Sequence, residues 1–259
     1  MRRAALLQVC VNGARDVAQH PSLSADATVV ADSAARAVAA GAQEIHVHPK
    51  DAAGRDSLVA DDVVRWVRAV RAACPGVPVG VTTGAWAEPV VERRLAAMTE
   101  WTELPDFASV NWHEAGADEV AALLLSRGVG VEAGIWDDAG LKAWRRSPVR
   151  AQCLRLLIEL PDEPAEVVHS HAEGMLAHVH RAEPDMPILL HGEERSTWAA
   201  IDLAIERGLH TRIGLEDCLT LPDGTVAPDN AALVRAARER MLLCRALGSL
   251  APGRGSPSA

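Results

Sequence analysis

The chain has no tyrosine, a single phenylalanine and only two lysines, Lys50 and Lys142, against abundant alanine, valine and arginine. That skew reads as a coding bias of the host, and it makes any lysine placed next to reactive residues worth noticing. Positive charge is also short: 26 Lys and Arg face 35 Asp and Glu, a formal charge of −9 with no basic cluster. This excludes a nucleic-acid or anionic-membrane surface as a partner. No apolar run approaches the roughly 18 residues that a membrane span requires. The opening MRRAALLQVCVNG lacks a signal-peptide cleavage pattern and reads as a first strand. The five cysteines are scattered, odd in number and without a CxxC pair, which predicts reduced thiols and a cytoplasmic protein. No GxGxxG turn follows the first strand, where the chain reads VNGARD, and this weakens a doubly wound dinucleotide-binding sheet.

What is present is an alternation. Eight apolar runs of strand length, at residues 5–11, 44–48, 77–83, 107–112, 128–134, 153–160, 187–192 and 211–216, are separated by amphipathic segments. Two of those segments, 26–41 and 195–208, close on glycine, the residue that most easily adopts the left-handed conformation ending a helix. Strands alternating with helices at this length predict a parallel sheet, and the number eight predicts a (β/α)8 TIM barrel as a single domain over residues 1–248. The segment 249–259, rich in Gly, Ser and Pro, is predicted to be a flexible tail.

In such barrels catalytic groups gather at the C-terminal ends of the strands. Those ends here carry Asn12 and Arg15; His46 and His48; Thr82 and Thr83; Asn111 and His113; Glu132; Glu159; His191 and Glu193; and Arg212, Glu216 and Asp217. The strand N-terminal ends carry no comparable polar set, an asymmetry that argues for an enzyme. His46 and His48, at i and i+2 on a strand, share a face, and Glu216 on another even-numbered strand can fall in the same layer. Two imidazoles and a carboxylate with open positions suit Zn²⁺ or another divalent transition metal, with His191 a candidate fourth ligand. A pair of buried, hydrogen-bonded histidines is the bland alternative. The same HxH spacing recurs at His169/His171 and His178/His180, inside a helical pattern where i and i+2 diverge, and there it predicts a solvated face.

The runs GAQEIHVHPKDAAGRDSL, VTTGA and TRIGLEDCLTLPDGTVAPDNAALVRAA resemble the β-keto acid cleavage enzymes, whose named member is the 3-keto-5-aminohexanoate cleavage enzyme. The resemblance extends from the first strand to the last helix and is strongest in RIGLED with its downstream Asn230. It implies a metal-holding barrel, usually zinc-loaded and homo-oligomeric. The implied reaction joins a β-keto acid to acetyl-CoA and yields acetoacetate and a new acyl-CoA by retro-Claisen cleavage. It implies His46, His48 and Glu216 as metal ligands and Asp217, Arg212, Thr82 and Glu132 as groups tied to the chemistry. Arg15, Asn12, Lys50, Thr83 and Asn111 are then the candidate substrate contacts. Arg15 stands where the family pattern TGAE has its glutamate, which points away from an amine-bearing substrate and toward an anionic or neutral side group. Lys50 replaces a family arginine. The loops IELPDEPAE and HGEERSTW carry acids where the family has glycine, which keeps two alternatives open: a hydrolase or aldolase-like lyase that does not use coenzyme A, and a non-catalytic barrel.

Overall fold

A computed structural model describes residues 5–250, so that most of the predicted tail at 249–259 lies outside the described residues. Eight strands occur: β1 Leu7–Cys10, β2 Glu44–Val47, β3 Val79–Thr82, β4 Phe107–Asn111, β5 Gly130–Ile135, β6 Arg155–Leu160, β7 Ile188–Gly192 and β8 Thr211–Ile213. Eight α-helices alternate with them: α1 Ala27–Ala39, α2 Ala60–Ala73, α3 Val91–Thr99, α4 Ala117–Ser126, α5 Asp138–Arg146, α6 Ala165–Ala182, α7 Thr197–Arg207 and α8 Asn230–Leu250. All strand pairs are parallel, in the order β7-β6-β5-β4-β3-β2-β1-β8. The ring closes between β7 and β8 through the parallel bridge Leu189↔His210, with Leu190 N donating to His210 O at 2.9 Å. The molecule is a TIM barrel and one domain.

The elements follow from local chemistry. Asp26 caps α1 by accepting from the amides of Thr28 and Val29, and Gly208 ends α7 in the left-handed region at φ 67°. Apolar side chains on the outer strand faces, such as Val9, Ile45 and Val81, are buried against helix residues such as Val63, Trp66 and Val67. No helix among the described residues is long and apolar enough to cross a membrane.

Lower in the barrel the interior is ionic. Glu132 is fully buried and accepts from Arg155 Nε at 2.8 Å and from Gln8 Nε2 at 2.9 Å, while Arg155 also pairs with Glu44. Burial works to raise the Glu132 carboxyl, but Arg155 above all holds it below its usual range. Arg155 in turn lies 5.3 Å from the centre of the Phe107 ring. This cluster is a plug, and the reactive layer sits above it.

Candidate active site

The upper layer is assembled by two tight turns. At the end of β8 the chain passes so close to β1 that a Cβ on Gly214 would lie 1.9 Å from Cys10 O, so only glycine fits. Leu215 N donates to Asn230 Oδ1 at 2.8 Å, and Asn230 Nδ2 donates to Val11 O at 2.9 Å. The first residue of α8 therefore staples the RIGLED turn to β1, which accounts for Asn230 belonging to the motif. After β1, Gly13 adopts φ 58°, and a Cβ there would meet Glu216 Cγ at 2.4 Å. Gly13 thus clears space for Glu216 to enter the barrel mouth, and Gly214 lets the turn that carries Glu216 lie against β1.

There Glu216 meets the two histidines. One ligand atom from each of His46, His48 and Glu216 falls within 4.8 Å of the others. His48 Nε2 is 3.5 Å and His46 Nε2 4.0 Å from Glu216 Oε1. Two buried atoms in the group, Glu216 Oε2 and His46 Nδ1, have no hydrogen-bond partner. A buried carboxylate oxygen such as Glu216 Oε2 without a partner is costly, and a cation among the three side chains removes that cost. The donor set of two nitrogens and an oxygen is one that divalent transition metals accept. Burial drives His46 down to about 4, keeping it a neutral donor. Burial opposes a proton on His48 as well, but Glu216 and Asp56 lift it to about 9.

Asp56 is the organising carboxylate behind the trio. It accepts from His48 Nδ1 at 2.8 Å, Lys50 Nζ at 2.5 Å and Trp86 Nε1 at 2.7 Å. Burial works to raise its pKa, yet His48 and Lys50 bring it to about 2. A carboxylate on the far nitrogen of a ligating histidine sets the tautomer and aims the near one. Asn12 fixes the backbone of the same histidine: its Nδ2 donates to His48 O and its Oδ1 accepts from His48 N, both at 2.9 Å.

A cavity of about 380 Å³ opens over this trio. Its walls include His46, His48, Arg212 and Glu216 on one side, Leu157, Glu159, Glu193 and Trp136 on another, and Thr82, Ser109, Asn111 and Trp86 between. Arg15 crosses the mouth, donating from Nε to Glu216 O at 2.9 Å and from Nη2 to Glu194 Oε1 at 2.5 Å. Glu194 is held at φ 47°, the sole non-glycine with positive φ among the described residues. Behind the wall, Arg212 Nη2 bonds Asp217 Oδ1 at 2.8 Å and Glu216 Oε1 at 2.9 Å. Burial disfavours the Arg212 charge, but Asp217 and Glu216 keep it protonated at any ordinary pH. Arg212 and His191 in turn hold Asp217 below its usual range against the raising effect of burial.

The predicted site residues thus separate by position. Arg15, His46, His48, Thr82, Asn111, Arg212 and Glu216 line the cavity. Asp217 is 1% exposed and stands directly behind Arg212. Asn12 and Lys50 grip the loops of the metal trio, Lys50 Nζ donating to Gly13 O at 2.6 Å. Thr83 Oγ1 is committed to Ser109 O at 2.7 Å. Glu132 lies in the plug because β5 runs on to Ile135, which leaves it mid-strand and a layer below the mouth. His191, a candidate fourth ligand by sequence, is not part of the trio. It is fully buried, with Nδ1 3.5 Å from Asp217 Oδ1 and Nε2 3.2 Å from Glu159 Oε2. Burial and Arg212 disfavour its proton, but those two carboxylates push it up to about 9. Sequence reasoning passed over Asp56, Trp86 and Trp136. A carboxylate eight residues beyond a histidine was the available signal for Asp56, and only the antiparallel bridge Lys50↔Asp56 brings it back.

Residues 5–248 match the profile of the beta-keto acid cleavage enzyme family. The chain belongs to that family. No curated protein matches it by sequence. Among solved structures it is similar to ObcA in binary complex with oxaloacetate, at 17% identity and a TM-score of 0.69, covering 87% of this chain and 64% of that one. ObcA in ternary complex with a C4-CoA adduct and oxalate matches at 16% identity and a TM-score of 0.68, over 86% of this chain and 64% of that one. The chain therefore spans under two thirds of the length of ObcA. A 3-dehydroquinate dehydratase from Aquifex aeolicus shares the barrel at 12% identity and a TM-score of 0.56, over 91% and 96% of the two chains. At these identities the likeness is one of fold. What the comparisons establish is the family and the barrel; within it the His-His-Glu trio is a candidate metal site.

Proposed function

We propose that this family member is a metal-dependent acyltransferase that takes a β-keto acid with an uncharged side group and acetyl-CoA, and returns acetoacetate and the acyl-CoA of the remaining fragment. The observation that carries the proposal is the convergence of His46, His48 and Glu216, with unpartnered atoms, on the wall of the cavity. A divalent ion held there, Zn²⁺ by donor preference, would supply a Lewis acid for the keto and carboxylate oxygens of the substrate. Asp217, buried directly behind Arg212, is the base that receives the proton of the carbon between those two groups through a relaying group on the cavity wall. Arg212 holds Asp217 and faces the charge that develops on oxygen. The resulting carbanion attacks the acetyl thioester, and cleavage of the adduct releases acetoacetate while the acyl fragment passes to the coenzyme thiol. Thr82 and Asn111 offer hydrogen bonds to the bound acid.

The uncharged side group follows from charge matching. Arg15 is taken up by Glu194, Arg212 by Asp217 and Glu216, and Glu159 faces His191. Burial and the neighbouring Glu159 push Glu193 up to about 8, so it is mostly neutral at pH 7. Leu157, Trp86 and Trp136 supply the apolar remainder. Coenzyme A is kept as acceptor because two of the acids in the loops after β6 and β7 are paired with arginines, Asp162 with Arg195 and Glu194 with Arg15. The closest competitor, a lyase or hydrolase without coenzyme, shares the metal half of the site.

Calorimetric titration of zinc-loaded protein with acetyl-CoA, followed by an acetoacetate assay over β-keto acids with amine, carboxylate and alkyl termini, tests all of this. Saturable sub-millimolar binding and turnover of the alkyl acid are expected. No binding with or without keto acid sinks the acyltransfer, and a preference for the amine sinks the charge argument.

A further inference from the structure

Cys10 is the last residue of β1 and is fully buried. It pairs in register with His46 across the sheet, and its carbonyl accepts from Glu216 N at 3.3 Å. Its Sγ lies 2.8 Å from Asp217 Oδ2. One residue thus adjoins two members of the metal trio through its backbone and the proposed base through its side chain. The two oxygens of Asp217 are divided: Oδ1 receives Arg212 and faces His191, while Oδ2 receives the thiol. Burial, reinforced by Asp217, keeps the thiol far above its usual pKa, so sulfur retains its proton and acts as a donor.

We propose that Cys10 is a positioning residue: its thiol fixes the carboxylate plane of Asp217 in its place directly behind Arg212. The proposal rests on the reading of Asp217 as the base. Hydrogen bonds to a buried carboxylate are among the stronger ones, and leaving an oxygen without its donor frees the group to rotate. Arg212 alone fixes one oxygen; Cys10 fixes the other. Nothing about Cys10 as a strand residue calls for a thiol, since alanine or valine would satisfy the same buried position.

The test separates donation from packing. Cys10→Ala and Cys10→Val remove the donor, and Cys10→Ser keeps one. In the zinc-loaded enzyme the first two are expected to lower kcat about tenfold or more, with KM and metal content within about twofold of the parent, and the serine variant to recover most of the loss. Equal losses in the alanine and serine variants, or full kcat in Cys10→Ala, overturn the proposal. Infrared difference spectra of wild type minus Cys10→Ala isolate the Cys10 S–H stretch without any turnover. That stretch is expected at lower frequency in wild type than in Asp217→Asn; an unmoved band overturns the contact. A shifted band with Asp217→Asn at full activity overturns Asp217 as base, and the positioning role with it, while leaving the hydrogen bond in place.

Discussion

The chain uses one spacing in two settings. At the end of β2, His46 and His48, the latter one residue past the strand, are separated by a single residue, are almost fully buried, and turn their rings to the same side with centroids 5.2 Å apart. On α6, His169/His171 and His178/His180 have the same separation and point apart. His178 and His180 bond carbonyls one turn back, at Gly174 and Leu176, and His171 meets Glu163 at a partly exposed position. Identical residues thus become candidate ligands or helix-surface groups according to whether the backbone repeats every two residues or every 3.6. The lesson is that a ligand motif belongs to its backbone. A short motif read without its secondary structure would have given this protein three metal sites.

The strongest way to break the contrast is to remove histidines from each setting. His46→Ala or His48→Ala is expected to yield protein without bound metal and with activity lower by about 10³-fold or more, since a Lewis acid contributes several kcal/mol. The double change His178→Ala with His180→Ala is expected to keep both; metal analysis of purified protein and the acetoacetate assay decide. Asp217→Asn should lower kcat by about 10²–10⁴-fold while metal stays bound, which would place chemistry beside the β2 pair and apart from metal holding. Arg155→Met, in the plug, should cost about 3–5 kcal/mol in denaturant unfolding by leaving Glu132 and Glu44 uncompensated, with metal still held by the folded fraction. Asp56→Asn should weaken metal binding about 10–100-fold in a chelator competition, because His48 loses the partner that aims it.

The smallest effect concerns a solitary histidine. His191, raised to about 9 from an ordinary 6.5, stabilises the fold through its proton. That stability is fully present below pH 6.5 and is lost as pH rises through 9. His191→Gln should flatten the unfolding free energy across that window; an unchanged slope would mean that Glu159 and Asp217 do not hold the proton there.

Most of the barrel was legible because period-two and helical patterns alternate cleanly, and every predicted strand overlaps an observed one. The candidate metal trio was legible as a candidate, because two of its members stand two residues apart at the end of one strand and the third sits in a conspicuous turn. Depth was harder to read. Glu132 was listed at a predicted strand end and placed among the groups tied to the chemistry by the family resemblance, yet β5 continues three residues beyond it and leaves it in the plug. Partners separated by long stretches of chain, such as Cys10 and Asp217 or His48 and Asp56, left no local pattern, since they meet only after the strands have closed or a loop has doubled back.

Asn12 carries a consequence of its own. Its side-chain amide pairs with both backbone groups of His48, one residue past the last residue of β2. A side chain thereby does the work of a neighbouring strand, and the main chain after β1 is released to turn at Gly13 and send Arg15 across the mouth. Ligand geometry and loop content are thus borne by different atoms. The loop after β1 can be rewritten for a new substrate while the imidazole keeps its place in the candidate metal trio.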